Sequence, residues 1–386
     1  MSHPEIILGI DLGTSFSTAA AWFQGKLHLV PDDRGEPCIP SVVYFPRNQP
    51  PVVGHAAERY RAAEPDATVS GVKRILGRPF DAPEVTIMAA HSAMGIRPAE
   101  NGSPILGLRT GNRTPVEVAS HIFEHLRSRA EARFRAPAQK AVVTLPATAD
   151  DGVRDATIHA ARMAGIEVVR TLSEPSAAAI AYHLDRSMAA GRLLVYDFGG
   201  GTFDVTVLEQ GPAGFRTLVT GGDACLGGDD FDHALAHQVA AFIFRSQRVD
   251  LTKDVVRWDR VVRQSERTKR ALSAASTASF RLPKAYSAQR KTVDLDLNVH
   301  RDDVVGRWQP LVGRSIKATA ETLMKGGLRP TALEQTVLVG GTTFIPLVQR
   351  AVEKLLGRPA TLSDNPQTAV ACGAAVVASR LGRRAA

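Results

Sequence analysis

Two short segments carry residues whose types and spacing suit phosphate chemistry. Asp11-Leu12-Gly13-Thr14-Ser15 and Asp197-Phe198-Gly199-Gly200-Gly201-Thr202 each place an aspartate at the end of an apolar run, with glycine two residues on. A glycine turn lets backbone N–H groups approach a phosphate without interference from a Cβ atom. The Thr and Ser hydroxyls add neutral donors, and an aspartate at the strand end is placed to hold magnesium, usually through water. One such turn is equally well an ordinary tight turn. Two, with Asp11 and Asp197 at matching positions, are a stronger signal: facing each other across a cleft, they would clamp the β- and γ-phosphates from both sides. Neither matches the Walker A spacing, so the phosphate-binding solution is a different one. Gly340-Gly341 is a third glycine turn, explained as well by entry into a helix.

The elements that must hold these turns alternate along the chain. Residues 6–10 and 18–23 flank the first turn as a β-hairpin, and residues 193–196 and 203–208 flank the second in the same way. The two turns stand nearly half the chain apart, which points to two related halves. Thr114-Pro115-Val116-Glu117 is a helix start with an N-cap Thr, Pro at the first helical position and Glu closing a capping box. Val116, Ala119, Ile122, Phe123 and Leu126 follow as one apolar stripe. A buried strand is expected over residues 141–145, closed by Pro146. A helix follows from about Asp151 to Gly165, then a strand over 166–172 and an Ala-rich helix from Pro175 to Leu184. Further helices are expected from about Phe231, over 257–272, from about Asp303, from Ile345 and over 367–381. Two short strand-like pieces precede Asp303, and a strand spans 336–339. Strands mixed with helices in both halves indicate an α/β protein of two lobes, with the ligand cleft between them.

Composition sets the outer limits. The chain has 386 residues, 44% hydrophobic and 22% charged, an ordinary globular balance that excludes a disordered chain. No apolar run approaches the roughly 20 residues of a membrane helix, and residues 1–5 lack the character of a signal peptide. A cytoplasmic protein is expected. Cys38, Cys225 and Cys372 lie far apart, which supports neither a zinc site nor a disulfide framework. The net charge of +8 reads as a solvated basic surface, because no basic stretch is interleaved with aromatics. Neither nucleic acid nor membrane is expected as a partner.

Taken together, GIDLGTS (9–15), VKRILGR (72–78), AVVTLPA (141–147), SEPSAAAIAY (173–182), YDFGGGTFDV (196–205), CLGGDDFD (225–232), SERTKRALS (265–273), LVGGTTFIP (338–346) and GAAVVAS (373–379) resemble, in order, the nucleotide-binding domain of the 70-kDa heat-shock chaperones. These are members of the actin-like ATPase superfamily. The resemblance covers nearly the whole chain. It implies a two-lobed, ribonuclease H-like α/β fold with each lobe split into two subdomains: 1–184 as lobe I and 185–386 as lobe II, with the last helix crossing back. It implies ATP or ADP with magnesium in the central cleft, and potassium ions beside the phosphates. Gly13, Thr14 and Ser15 would form one phosphate loop, and Gly199, Gly200, Gly201 and Thr202 the other. Asp11 and Asp197 would hold magnesium through water. Lys73 would reach the γ-phosphate, with Glu174 and Asp204 orienting the attacking water. Phe16, Gly228, Glu266, Lys269, Arg270 and Ser273 would surround the adenosine, with Gly340, Gly341, Thr342 and Phe344 closing the purine pocket. Phe344 stands where the family commonly has an arginine, and a phenylalanine there would stack on the purine. Pro146, Arg154 and Arg170 match residues that couple the domain to its linker and to J-domain co-chaperones; equally, they persist as structural residues of lobe I.

Taken singly, Lys73 reads as a surface lysine, Glu174 as a first-turn acid favoured by the helix dipole, and Asp204 as an outward-facing strand residue. The ordered motifs reverse this for Lys73, Glu174, Asp204 and Arg270. Arg257, Arg260 and Arg263 keep the reading of a solvated helix face. The family's linker and peptide-binding domain are not found in the chain, so client binding would need a separate module. Slow ATP hydrolysis in a chaperone cycle is therefore weighed against a nucleotide-dependent interaction module, in either case with a J-domain co-chaperone and an exchange factor as candidate partners. A filament-forming actin relative is the third and weakest reading.

Overall fold

Short apolar runs that end in glycine turns lie at the centre of two sheets with the same strand order. The computed structural model describes residues 6–183, 191–211, 214–288 and 291–382. The first sheet contains β1 (Ile7–Asp11), β2 (Phe16–Phe23), β3 (Lys26–Leu29), β4 (Lys140–Leu145) and β5 (Glu167–Ser173), in the order β5-β4-β1-β2-β3. The second contains β6 (Gly191–Phe198), β7 (Phe203–Gly211), β8 (Gly214–Asp223), β9 (Gln335–Val339) and β10 (Thr361–Leu362), in the order β10-β9-β6-β7-β8. In each, the first strand is antiparallel to its hairpin partner and parallel to a later strand on its other side. The internal repeat thus extends from the turn motif to the topology of the whole sheet. Leu8, Ile10, Val142 and Val143 are fully buried, as parallel strands covered on both faces require.

Local signals set most helix starts. α1 (Pro115–Phe134) opens with the expected capping box: Thr114 Oγ1 accepts from the Glu117 N–H at 3.2 Å, and Glu117 Oε2 accepts from the Thr114 N–H at 2.6 Å. Its buried face is Val118, Ala119, Ile122, Phe123 and Leu126, while Val116 is only half-buried because Pro115 takes the inward side of the first turn. Thr114→Ala is expected to cost about 1 kcal/mol, seen as a lower midpoint of urea unfolding. α2 (Asp151–Met163) is capped by Asp150, and α3 (Glu174–Tyr182) by Ser173 with Pro175 in its first turn. The expected helix end at Leu184, and with it the expected lobe boundary, lies outside the described residues.

Other boundaries moved. α4 (Gly228–Gln247) begins before Phe231, because Asp230 reaches back to the Gly227 N–H at 2.7 Å and stabilises an earlier first turn. α5 (Val255–Ala274) starts before Arg257, capped by Asp254. The two short strand-like pieces are a long hairpin, Thr277–Ala288 with Lys291–His300, whose Phe280, Leu282 and Leu295 are buried. α6 (Arg301–Lys325) also begins before its expected start, and α7 (Pro346–Leu356) follows a 3₁₀ turn, Gly341–Phe344. α8 (Ala369–Gly382) starts after Gln367, where Asn365 O accepts from the Ala369 N–H at 3.0 Å. It packs across α3 and onto β1 and β2, burying Ala371, Ala374, Ala375 and Ala378.

One core gathers side chains of β1, β2, β4, α1 and α2; another gathers those of β6, β7, α4, α5, α6 and α7. Among the described residues no helix is long and apolar enough to cross a membrane. The arginine face of α5 is less solvated than expected. Arg260 donates to Lys284 O at 3.0 Å and to Pro283 O. Arg263 donates to Glu58 O at 2.5 Å, and Arg61 pairs with Asp259 at 3.4 Å, so α5 reaches residues of the N-terminal half directly.

Candidate functional site

Asp11 ends β1 and Asp197 lies one residue before the end of β6, so both carboxylates sit where a central strand gives way to its glycine turn. Both line one cavity of about 390 Å³ together with Gly13, Thr14, Ser15, Gly199, Gly200 and Thr202. The two turns approach so closely that a Cβ at Gly200 would lie 1.9 Å from Ser15 Oγ and would displace that side chain from its bond to Asp229. Ser15 Oγ donates to Asp229 Oδ1 at 3.3 Å, and Thr342 Oγ1 donates to Gly199 O at 2.8 Å, which fixes both turns from outside.

Lys73 comes from the 3₁₀ turn Val72–Ile75 and Glu174 from the first turn of α3. They meet at 2.7 Å in the same cavity, and neither is a surface residue. Burial lowers the affinity of Lys73 for its proton, but Glu174, Asp11 and Asp197 outweigh it and hold the ammonium charged far above neutral pH. Burial pushes the Asp11 carboxyl up to about 6, against the pull of Lys73 and a hydrogen bond from Thr144 at 3.2 Å. Burial raises Asp197 well above the usual carboxylate range, and the nearby charges of Glu174, Asp204 and Asp11 add to it. Carboxylates crowded around one lysine are a donor set short of positive charge. A hydrated cation between Asp11 and Asp197 would supply it, and these residues fit magnesium held through water. Among the described residues no group of three or more His, Cys, Asp or Glu side chains is placed to hold an ion directly.

The remaining lining comes from α5 and from the turn after β9. Phe16, Gly228, Glu266, Lys269, Arg270, Ser273, Gly340, Gly341, Thr342 and Phe344 all line the cavity. Arg270 lies 5.6 Å above the Phe16 ring, and Phe344 is 38% exposed at the rim. Lys269 is buried; its Nζ donates to Gly228 O and to Asp232 Oδ2, both at 2.7 Å. An ammonium held by two acceptors keeps its third proton for a ligand. Asp232→Asn should preserve the fold and weaken nucleotide binding about tenfold, because the lysine loses its charged anchor; isothermal titration with ADP reads this.

Two of the expected site residues lie off this cavity. Asp204 does not face this cavity. It is buried on β7, directly opposite Asp197, and lines a second cavity with Pro146. Burial and Glu174 push its carboxyl up to about 7. A Cβ at Gly201 would lie within 3 Å of the Thr14 and Arg74 side chains, and Gly201 is not among the lining of this cavity. Arg154, bonded to Thr171 at 3.1 Å, and Arg170, expected as coupling residues and not as cavity lining, are exposed and away from both cavities. Sequence reasoning also missed Arg74, Asp229 and Asp232. Arg74 pairs with Asp229 at 3.0 Å, beside the second glycine turn. The Lys-Arg pair at 73–74 and the acidic run at 229–232 were the available signals.

Comparison with known proteins agrees with this geometry. The family model described as "Hsp70 protein" matches residues 7–383. The chain is 38% identical over 377 residues to the chaperone protein HscA of Pectobacterium carotovorum subsp. carotovorum (strain PC1), and 37% identical over 378 residues to a chaperone protein HscA homolog of Variovorax paradoxus (strain S110). Each match covers 98% of this chain and 58% of the relative, so the chain spans little more than half the length of these proteins. The repeated α/β sheets, with glycine turns meeting across a cavity, are the actin-like ATPase arrangement. Matched along almost its whole length, the chain belongs to the Hsp70 family.

Proposed function

We propose that this chain binds ATP and ADP with magnesium and hydrolyses ATP slowly, as the nucleotide-binding part of an Hsp70-type chaperone. The observation that carries this reading is the buried Lys73–Glu174 pair, set between two aspartate–glycine turns in a cavity whose other lining suits an adenosine. Phosphoryl transfer to water leaves little covalent work for a protein; positioning and charge stabilisation do most of it. Backbone N–H groups of the two turns cradle the phosphates, Lys73 meets the charge growing on the γ-phosphate, and Thr202 adds a hydroxyl donor. Glu174 is placed to orient the attacking water and accept its hydrogen bond, with Asp204 supporting from behind. Magnesium, when bound, neutralises phosphate charge, and potassium would sit near the same carboxylates. Glu266, Lys269 and Arg270 hold the nucleoside, and Phe344 stacks on the purine at the rim.

In this reading residues 1–184 and 185–386 form two lobes that rotate with nucleotide state, hinged where α3 crosses α8. Pro146, Arg154 and Arg170 would pass the change to a J-domain co-chaperone, and a nucleotide exchange factor would reopen the cleft, in the cytoplasm. Single-turnover hydrolysis of radiolabelled ATP tests the core of the proposal. ADP and phosphate should form with magnesium and stop forming with excess EDTA. Tight binding without hydrolysis in either condition would leave a nucleotide-switched interaction module.

A further inference from the structure

We propose that the nucleoside side of the site takes 6-oxopurine nucleotides, inosine and guanosine triphosphates, as well as ATP, and that the Gln367 amide makes this possible; the inference rests on the nucleotide-binding reading above. Gln367 is half-buried just before α8 and lines the nucleotide cavity. Its amide takes the room left by the missing side chain of Gly341, where a Cβ would lie 3.1 Å from Gln367 Nε2. Among the described residues this amide makes no hydrogen bond. The other polar side chains on this side are committed or one-sided. Ser273 Oγ donates to Lys269 O at 3.2 Å, and Thr342 Oγ1 is spent on Gly199 O at 2.8 Å. The Glu266 carboxylate can only accept, and the Arg270 guanidinium can only donate. Ile345, Pro366 and Val370 add apolar wall.

The two base classes differ by an exchange of partners. Adenine presents a 6-amino donor beside the N1 acceptor; a 6-oxopurine presents a carbonyl acceptor beside an N1–H donor. A fixed donor–acceptor pair would reject one of them by leaving its own polar groups unpaired. A glutamine amide carries both kinds of atom, and half a turn about its last bond exchanges their places. Gln367 has room for that turn. With Phe16, Arg270 and Phe344 it also lines a third cavity, of about 480 Å³, so its side chain is not packed into the core. The remaining contacts do not choose between the bases. Every base offers a π-face to Phe344, and a guanidinium finds the N7 acceptor in either purine. Strong selection would need an element that repels one base, and a free amide is not one.

Equilibrium titration of the parent with the magnesium salts of ATP, ITP and GTP tests this directly. Both 6-oxopurine nucleotides should bind within about tenfold of ATP. Gln367→Leu keeps the bulk and removes the amide. It should weaken all three nucleotides by a similar, several-fold factor and leave binding of inorganic triphosphate, which has no base, unchanged. A preference for ATP beyond tenfold over either ITP or GTP would overturn the inference. So would a Gln367→Leu effect confined to one nucleotide, which would show the amide held in one orientation, or an equal loss of triphosphate binding, which would place the effect away from the base. The outcomes separate from those of the reading beneath it. If ATP binds and ITP does not, only this inference falls; if the parent binds no nucleotide, the nucleotide-binding reading falls first.

Discussion

Lys73→Ala is expected to lower single-turnover ATP hydrolysis by about two to three orders of magnitude, the usual cost of losing one preorganised charge at the reacting phosphate. Nucleotide should still bind, because the two glycine turns and the α5 residues do not depend on the lysine. The size of the effect follows from the surroundings. Among the described residues Lys73 is the one lysine of the phosphate-side lining, and it offsets Glu174, Asp11 and Asp197 together. Without it, Glu174 loses the 2.7 Å partner that fixes its direction, and the γ-phosphate meets uncompensated carboxylates. Lys73→Arg should not rescue the rate, since a planar guanidinium does not replace a compact ammonium in a buried niche. Acid-quench assays beside equilibrium titration decide the matter. Hydrolysis within about tenfold of the parent would remove Lys73 from the mechanism.

The second large effect is structural and concerns the helix crossing. A Cβ at Gly373 would lie 1.8 Å from Ala177 O and 2.5 Å from its carbonyl carbon. Both atoms are backbone of α3, so no rotamer can make room. Gly373→Ala should therefore destabilise the protein by about 3 kcal/mol, the upper part of the range for overpacking, and slow or abolish any lobe rotation about the crossing. Gly313→Ala is the control. Gly313 lies exposed in α6, where a Cβ would meet nothing within 4 Å. There the same substitution should stabilise by about 0.5–1 kcal/mol, through helix propensity alone. Thermal unfolding of both variants reads the opposite signs. Two shifts of the same sign would show that α3 and α8 do not pack as described.

These outcomes depend on features of different legibility. The capping box of α1, the hairpins around both glycine turns and the first turn of α3 were readable because each involves residues at most a few positions apart. The motif order carried the family, and with it the lining of the nucleotide cavity. What failed was longer-range. Lys269 and Asp232 come from different helices, and nothing in either segment announces that they meet. Arg260 and Arg263 have the spacing of a solvated helix face, yet their partners are backbone carbonyls of the following hairpin and of the N-terminal half.

Asp204 shows the division most clearly. Its place in YDFGGGTFDV marked it as part of the site, and burial agrees. Which cavity it lines depends on how the β6–β7 hairpin sits against β4 and the Val72–Ile75 turn, contacts made by distant segments. By itself the sequence determined the alternation of elements, the repeat, the caps and the set of residues available for phosphate chemistry, since periodicity and turn residues act over a few positions. Only the tertiary structure decided which of those residues share a cavity and how far burial shifts their charges. Desolvation and Coulomb interactions depend on distance in space, and sequence separation does not encode it.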